Sequence, residues 1–135
     1  MLSKYTNLGY RIIDDQHKTI IDKITQINDD IKNSKKEIDI KNFIEYFKEH
    51  IKFEEKIASE FECDYLSIIK LEHRDLLNGL RLLEDIIELY NNTKISQIEK
   101  IALEYIEISI EYLLKHFSEH DKKIIDYIID KSLEH

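Results

Sequence analysis

Proline is absent from the 135-residue chain, and glycine occurs only twice, at Gly9 and Gly79. So little punctuation permits few tight turns, which argues against an all-β fold. A single cysteine, Cys63, excludes an internal disulfide. It falls in a connector and reads as a simple surface or loop thiol. No apolar run approaches the ~20 residues that a membrane-spanning helix needs. The first nine residues are too polar and short for a signal peptide. No Lys/Arg cluster stands out against a formal charge of −8, so nucleic acid is not an expected partner. These absences predict a cytoplasmic protein with neither a membrane nor a nucleic-acid partner. A protein partner stays open.

What is present is 42% apolar and 36% charged residues, a mix suited to a helical domain with a charged surface. Apolar spacing decides the helices, because Ile is β-branched and propensity alone does not. Residues 14–33 carry Ile20, Ile21, Ile24, Ile27 and Ile31 at steps of three and four behind Ile13, with Asp14 as the expected N-cap. Residues 40–60 carry Phe43, Phe47 and Ile57 and lead to Phe61, with Asp39 as the cap. Residues 66–90 carry Leu66, Ile69, Leu76, Leu80, Leu83 and Ile87. A fourth helix opens at Ser96, where Ser96 and Glu99 fit a capping box, and runs to about residue 131. Short polar connectors between these segments predict an all-α, up-down-up-down antiparallel four-helix bundle over residues 1–132. Residues 1–12 read as a non-helical arm over the bundle, with Tyr5, Leu8 and Tyr10 as its packing groups. Leu133, Glu134 and His135 look like the remnant of an expression tag.

Polar residues interrupt the stripes where core is expected. In the second helix Phe43, Phe47, His50, Glu54, Ile57 and Phe61 follow one another at steps of four and three without a break. His17 lies between Ile13 and Ile20, and His73 between Ile69 and Leu76, at the same steps. His116 follows Tyr112 beside Leu113, with His120 and Ile124 further along that face. Burying an unpaired imidazole or carboxylate costs several kcal/mol as an order of magnitude when the group is ionised. One such histidine is usually a satisfied core residue. Five on four helices, with acids among them, point to a shared cation. Imidazole and carboxylate together suit iron or zinc better than calcium or magnesium. On an α-helix His50 and Glu54 lie ~40° apart, and so do His116 and His120. Asp121, five residues past His116, is ~140° around and is expected to reach the site from the other flank.

These residues resemble the hemerythrin family, in particular its single-domain bacterial members, over nearly the whole chain. The stretch Leu8-Gly9-Tyr10-Arg11-Ile12-Ile13-Asp14-Asp15-Gln16-His17 is similar to the family's opening. His50 to Glu54 resembles its HxxxE motif, Tyr65 to His73 its third-helix opening, and His116 to Asp121 its HxxxxD motif. The resemblance implies two iron ions (Fe2+/Fe3+) with an oxo or hydroxo bridge. It implies His17 and His50 on one iron, His73 and His116 on the other, and Glu54 and Asp121 bridging. Dioxygen is then the ligand, accepting two electrons in an apolar pocket that includes Leu113. Ala58 stands where the family usually has a larger side chain.

One departure counts most. The family's third helix carries an HxxxH pair, and here its first member is Ile69. Three readings stay open. His120 supplies the missing ligand, water fills the gap, or the second site is weak and the protein holds zinc or a single metal. A further reading makes His120 an outer partner of a ligand. The resemblance implies reversible dioxygen binding for storage, delivery or sensing, and so a non-enzyme. The alternatives are an enzyme that reduces peroxide, dioxygen or nitric oxide or oxidises ferrous iron, and a metal-binding regulatory or structural domain. Oligomeric state is not legible.

Overall fold

The computed structural model of the chain describes residues 8–133. Tyr5 of the expected arm and residues 134–135 lie outside that range. The described residues are helical throughout, with no strand. Helix α1 spans Arg11–Lys32, α2 Lys41–Glu60, α3 Leu66–Thr93 and α4 Ser96–His116. A π-helical turn, Phe117–Asp121, joins α4 directly to α5, Lys122–Leu133. Each helix packs on its chain neighbour, and α1 packs on α4 to close the ring. Short connectors and this neighbour order give the antiparallel four-helix bundle expected from the stripes.

The α1 stripe is entirely inside. Ile13, Ile20, Ile24 and Ile31 have no exposed surface at all. Phe43 and Phe47 of α2 and Leu83 and Ile87 of α3 meet them in one continuous core, which Ala102 and Ile106 of α4 complete. A smaller apolar cluster gathers Ile57, Ala58, Cys63, Ile69, Ile124 and Ile128. Cys63 is therefore a buried thiol inside a connector and not a surface one. Its backbone N–H donates to the Ala58 carbonyl at 2.8 Å.

The start of α1 and the capping of α1 and α4 differ from expectation. Helix α1 starts at Arg11, so residues 11 and 12 belong to the helix and the arm is shorter. Asp14 sits in the first turn and accepts the N–H groups of Leu8 at 2.8 Å and Gly9 at 3.1 Å. It ties the arm down from inside the helix. Gly9 has a φ of +108°, a conformation open to glycine and strained for other residues. The capping box at Ser96 does not form. Ile95, in extended conformation, is the flanking residue, and no side chain caps α4. The Thr93 hydroxyl instead accepts the Ile95 N–H at 3.4 Å. Asp39 does accept the Lys41 N–H, at 3.0 Å.

The fourth helix is not one α-helix to residue 131. At Phe117–Asp121 it widens, and the Lys122 N–H donates to the Phe117 carbonyl five residues earlier. A π turn is an extra residue accommodated within a helix, and such turns are frequent at functional sites.

Candidate metal centre

The antiparallel order brings the start of α1, the end of α2, the start of α3 and the end of α4 to one end of the bundle. His17, His50 with Glu54, His73 and His116 occupy those four places, and the π turn adds Asp121. All six side chains are buried, with at most 3% of any residue exposed. The regular α period explains the first five. The sixth, Asp121, needs the π turn. On an α-helix His116 and Asp121 would be ~140° apart, whereas a turn bonded five residues back completes about one circuit in that span. His116 Nε2 and Asp121 Oδ1 are 2.9 Å apart as a result. The expectation that Asp121 arrives from the opposite flank is thereby corrected.

The same rotation turns His120 out of the core. In an uninterrupted α-helix it would follow His116 inward. Here it is partly exposed, its ring stacks on His116 with centroids 5.4 Å apart, and its Nε2 lies 3.7 Å from Glu72 Oε2. The ligand-competent groups sort accordingly. His17, His50, Glu54 and Asp121 form one set, and His73, His116 and Asp121 a second. Glu72, His116 and His120 form a third, outer set. Within each set the donor atoms lie within 4.8 Å of one another. The first two share Asp121, while His120 belongs to neither.

The inner distances have the spacing of a coordination shell. Asp121 Oδ2 is 2.9 Å from His17 Nε2 and 3.9 Å from His50 Nε2, and its Oδ1 is 4.0 Å from His73 Nε2. Glu54 Oε1 is 2.7 Å from His50 Nε2 and 3.4 Å from His73 Nε2, and its Oε2 is 3.8 Å from His17 Nε2. Bonds of ~2.1 Å to one ion set neighbouring donors ~3 Å apart and opposite ones ~4 Å apart. Closeness here is not hydrogen bonding. Among these atoms only His17 Nε2 and Asp121 Oδ2 are aligned as a hydrogen bond. The Nε2 atoms of His50, His73 and His116, both oxygens of Glu54 and Oδ1 of Asp121 are buried without a hydrogen-bond partner. Polar atoms this deep are rarely left unsatisfied. Donor atoms grouped closely enough to share a cation account for both facts, and the residues therefore fit a metal ion.

Outer contacts hold the rings. His50 Nδ1 pairs with Gln16 Oε1 at 2.7 Å, and His73 Nδ1 with Glu55 Oε2 at 2.8 Å. Such partners fix a ligating imidazole's tautomer and aim. Phe117 stacks on His17 with centroids 3.7 Å apart and planes 9° from parallel. Sequence reasoning assigned no role to Gln16, Glu55 or Phe117. Position next to a candidate ligand was the available signal for all three.

Without metal, the two carboxylates are balanced by protons on the rings. Burial alone would lower the His50 pKa, but Glu54 and Asp121 outweigh it and raise it to about 9. His73, against the same burial, is lifted to about 10 by Asp121 and Glu54. His17 is also raised, burial opposing and the two carboxylates prevailing. Burial and Asp121 would push Glu54 up, yet His50 and His17 bring it down to about 2. Asp121, also against burial, is held well below the usual carboxylate range by His116, His17 and His50.

The two expected pocket residues lie in different places. Leu113 is buried and lines an apolar cleft of about 220 Å³ between α3 and α4, with Leu76, Gly79 and Tyr105. Ala58 and Ile69 lie in the smaller apolar cluster. Ile69 thus fills its position with packing and offers no donor atom.

Fold and site define a four-helix bundle with a buried His/carboxylate cluster positioned to hold a metal ion. Compared with models of known protein families, with curated proteins and with solved structures, the chain matches none. No helix among the described residues is long and apolar enough to cross a membrane.

Proposed function

We propose that the protein is a hemerythrin-like non-heme di-iron protein that binds dioxygen reversibly. The observation that supports this is Asp121. Its carboxylate lies between 2.9 and 4.0 Å from the Nε2 atoms of four histidines, one from each helix of the bundle. A carboxylate so placed joins two sets of ligands. His17 and His50 would hold one iron and His73 and His116 the other, with Glu54 and Asp121 spanning both. The chemistry such a pair supplies is reversible two-electron exchange with dioxygen.

The chain's own residues set the conditions for it. Phe117, unexposed and packed on the His17, His50 and His116 rings, helps to keep the site dry. Exclusion of water limits proton access and loss of a reduced ligand. Gln16 and Glu55 hold their histidines with Nε2 facing inward. Imidazoles bind metal as free bases, so loading displaces the protons that His50 and His73 carry at neutral pH.

The test is optical and analytical. Protein loaded with ferrous iron without oxygen is expected to hold two irons per chain. It should gain a visible charge-transfer band in air and lose it on deoxygenation over repeated cycles. Two irons without an oxygen-dependent band would leave a regulatory or structural metal domain. A second reading, an enzyme that reduces peroxide, dioxygen or nitric oxide, is favoured by Ile69, which leaves one set short of a histidine. Consumption of any of these in excess of bound iron would establish turnover.

A further inference from the structure

The inner cluster is sealed, yet a cation has to reach it. Its six side chains are at most 3% exposed. One of them, His116, also belongs to the outer set with Glu72 and His120. Those two side chains are about 30% exposed (31% for Glu72, 29% for His120). They line a cleft of about 190 Å³ that also includes Glu119 and Lys115. Its donors are two imidazoles and a carboxylate, a set that suits first-row divalent metals.

We propose that this cleft is a second metal site, a loading site from which a divalent cation passes to the inner cluster through His116. The proposal rests on the di-iron reading for its destination and on the outer cluster for its route. His116 is suited to the transfer by its lack of hydrogen-bond restraint as well as by its place. Neither of its ring nitrogens has a hydrogen-bond partner. By contrast, His50 and His73 are held at Nδ1 by Gln16 and Glu55, and His17 is bonded to Asp121 and clamped by Phe117. The His120 ring, stacked on His116, brings a donor within reach of the same ion. The π turn makes the site: it sends Asp121 inward and His120 outward from neighbouring positions. His120 thereby acts before the inner cluster fills, not as a substitute for the absent ligand at position 69.

The test uses the full chain stripped of metal and mixed with excess Co2+. Inner-site filling is followed by cobalt's visible absorption, and final content by metal analysis after desalting. In the double variant Glu72→Gln/His120→Ala, filling is expected to slow about tenfold or more, with the same final content and spectrum. The single variant Glu72→Asp, which keeps a carboxylate, should recover much of the rate. Filling of the double variant at the unsubstituted rate overturns the loading site and leaves the inner centre standing. A lower final content with a changed inner spectrum also overturns it, because His120 or Glu72 would then be an inner ligand. If the unsubstituted chain takes up no cobalt, the inner centre itself fails.

Discussion

The two ends of this bundle are built from the same four helices and solve opposite problems. At one end Ile27, Ile31, Phe43, Leu83, Ile87 and Ile106 meet in an apolar core. The connector there is fastened by Asn91, whose amide exchanges two 2.9 Å hydrogen bonds with the backbone of Ile38. At the other end four imidazoles and two carboxylates occupy equivalent inward positions. Burying apolar surface is favourable by itself, at roughly 25 cal/mol per Å². Burying this polar set is favourable only with a partner, whether protons or metal. The first end should therefore govern folding and the second should govern loading.

The largest effects should separate those roles. Asp121→Asn keeps the side chain's volume and removes the charge that the two inner sets share. Metal retained after desalting is expected to fall by a factor of about ten or more, at least as much as loss of an outer partner gives. Leu83→Ala, at a fully buried apolar position, should lower unfolding free energy by about 2–5 kcal/mol and leave metal per chain unchanged. Denaturant melts with and without metal, beside metal analysis, check both. Equal metal loss in the two variants would erase the distinction between the ends.

The ends also differ in how well the sequence announces them. The apolar end follows from steps of three and four alone, and Ile13 to Ile31 go where the stripe sends them. His17, His50, Glu54 and His73 are legible by the same rule, since each fills a stripe position on a regular helix. The rule fails at Phe117–Asp121. Steps of 100° per residue carry His120 inward and Asp121 aside, and the π turn reverses them. The sequence offers no proline or glycine there to mark the change. What selects the wider turn is tertiary: Asp121 gains contact with the imidazoles, and Ile124, Ile125 and Ile128 keep their place in the core. The outer partners Gln16 and Glu55 were hidden for a different reason. Their spacing is that of any solvated flank, and only the folded ring positions give them an acceptor's task.

A smaller effect, confined to the polar end, is the pH dependence of the metal-free protein. The folded pKa values of His50 and His73, about 9 and about 10, lie above the ordinary value of 6.5. Their stabilisation is complete below about pH 6.5. It is lost as pH rises through the folded values, because the unfolded chain has already released those protons. Glu54 behaves in the reverse sense. Its stabilisation is complete above its ordinary 4.5 and is lost as pH falls toward about 2. Metal-free protein should thus unfold most reluctantly between about pH 4.5 and 6.5 and become easier to unfold toward pH 9. Metal should bind more tightly over that same alkaline rise, since deprotonated imidazole is the ligand. Urea midpoints at pH 6 and pH 9, with and without metal, give the two slopes. A flat metal-free profile would show that the rings are not paired with the carboxylates.

The smallest effect tests whether anything besides the inward residues distinguishes the ends. Few glycines leave three other residues in left-handed backbone just past a helix: Ser34 and Lys94 at the apolar end and Glu62 at the polar end, with φ of 56°, 53° and 54°. Non-glycine residues pay about 1–2 kcal/mol for that conformation, and glycine pays in unfolded-state entropy instead. Ser34→Gly and Glu62→Gly should each raise stability by about 0.5–1 kcal/mol. The gain should be the same at both ends and metal content untouched, because backbone strain is local and neither side chain faces the cluster. The Glu62 carbonyl that accepts the Tyr127 hydroxyl at 3.0 Å is retained in the variant. A gain for Ser34→Gly with metal loss for Glu62→Gly would mean that the α2–α3 connector also holds the site in shape. The difference between the ends would then lie in the connectors as well as in the inward side chains.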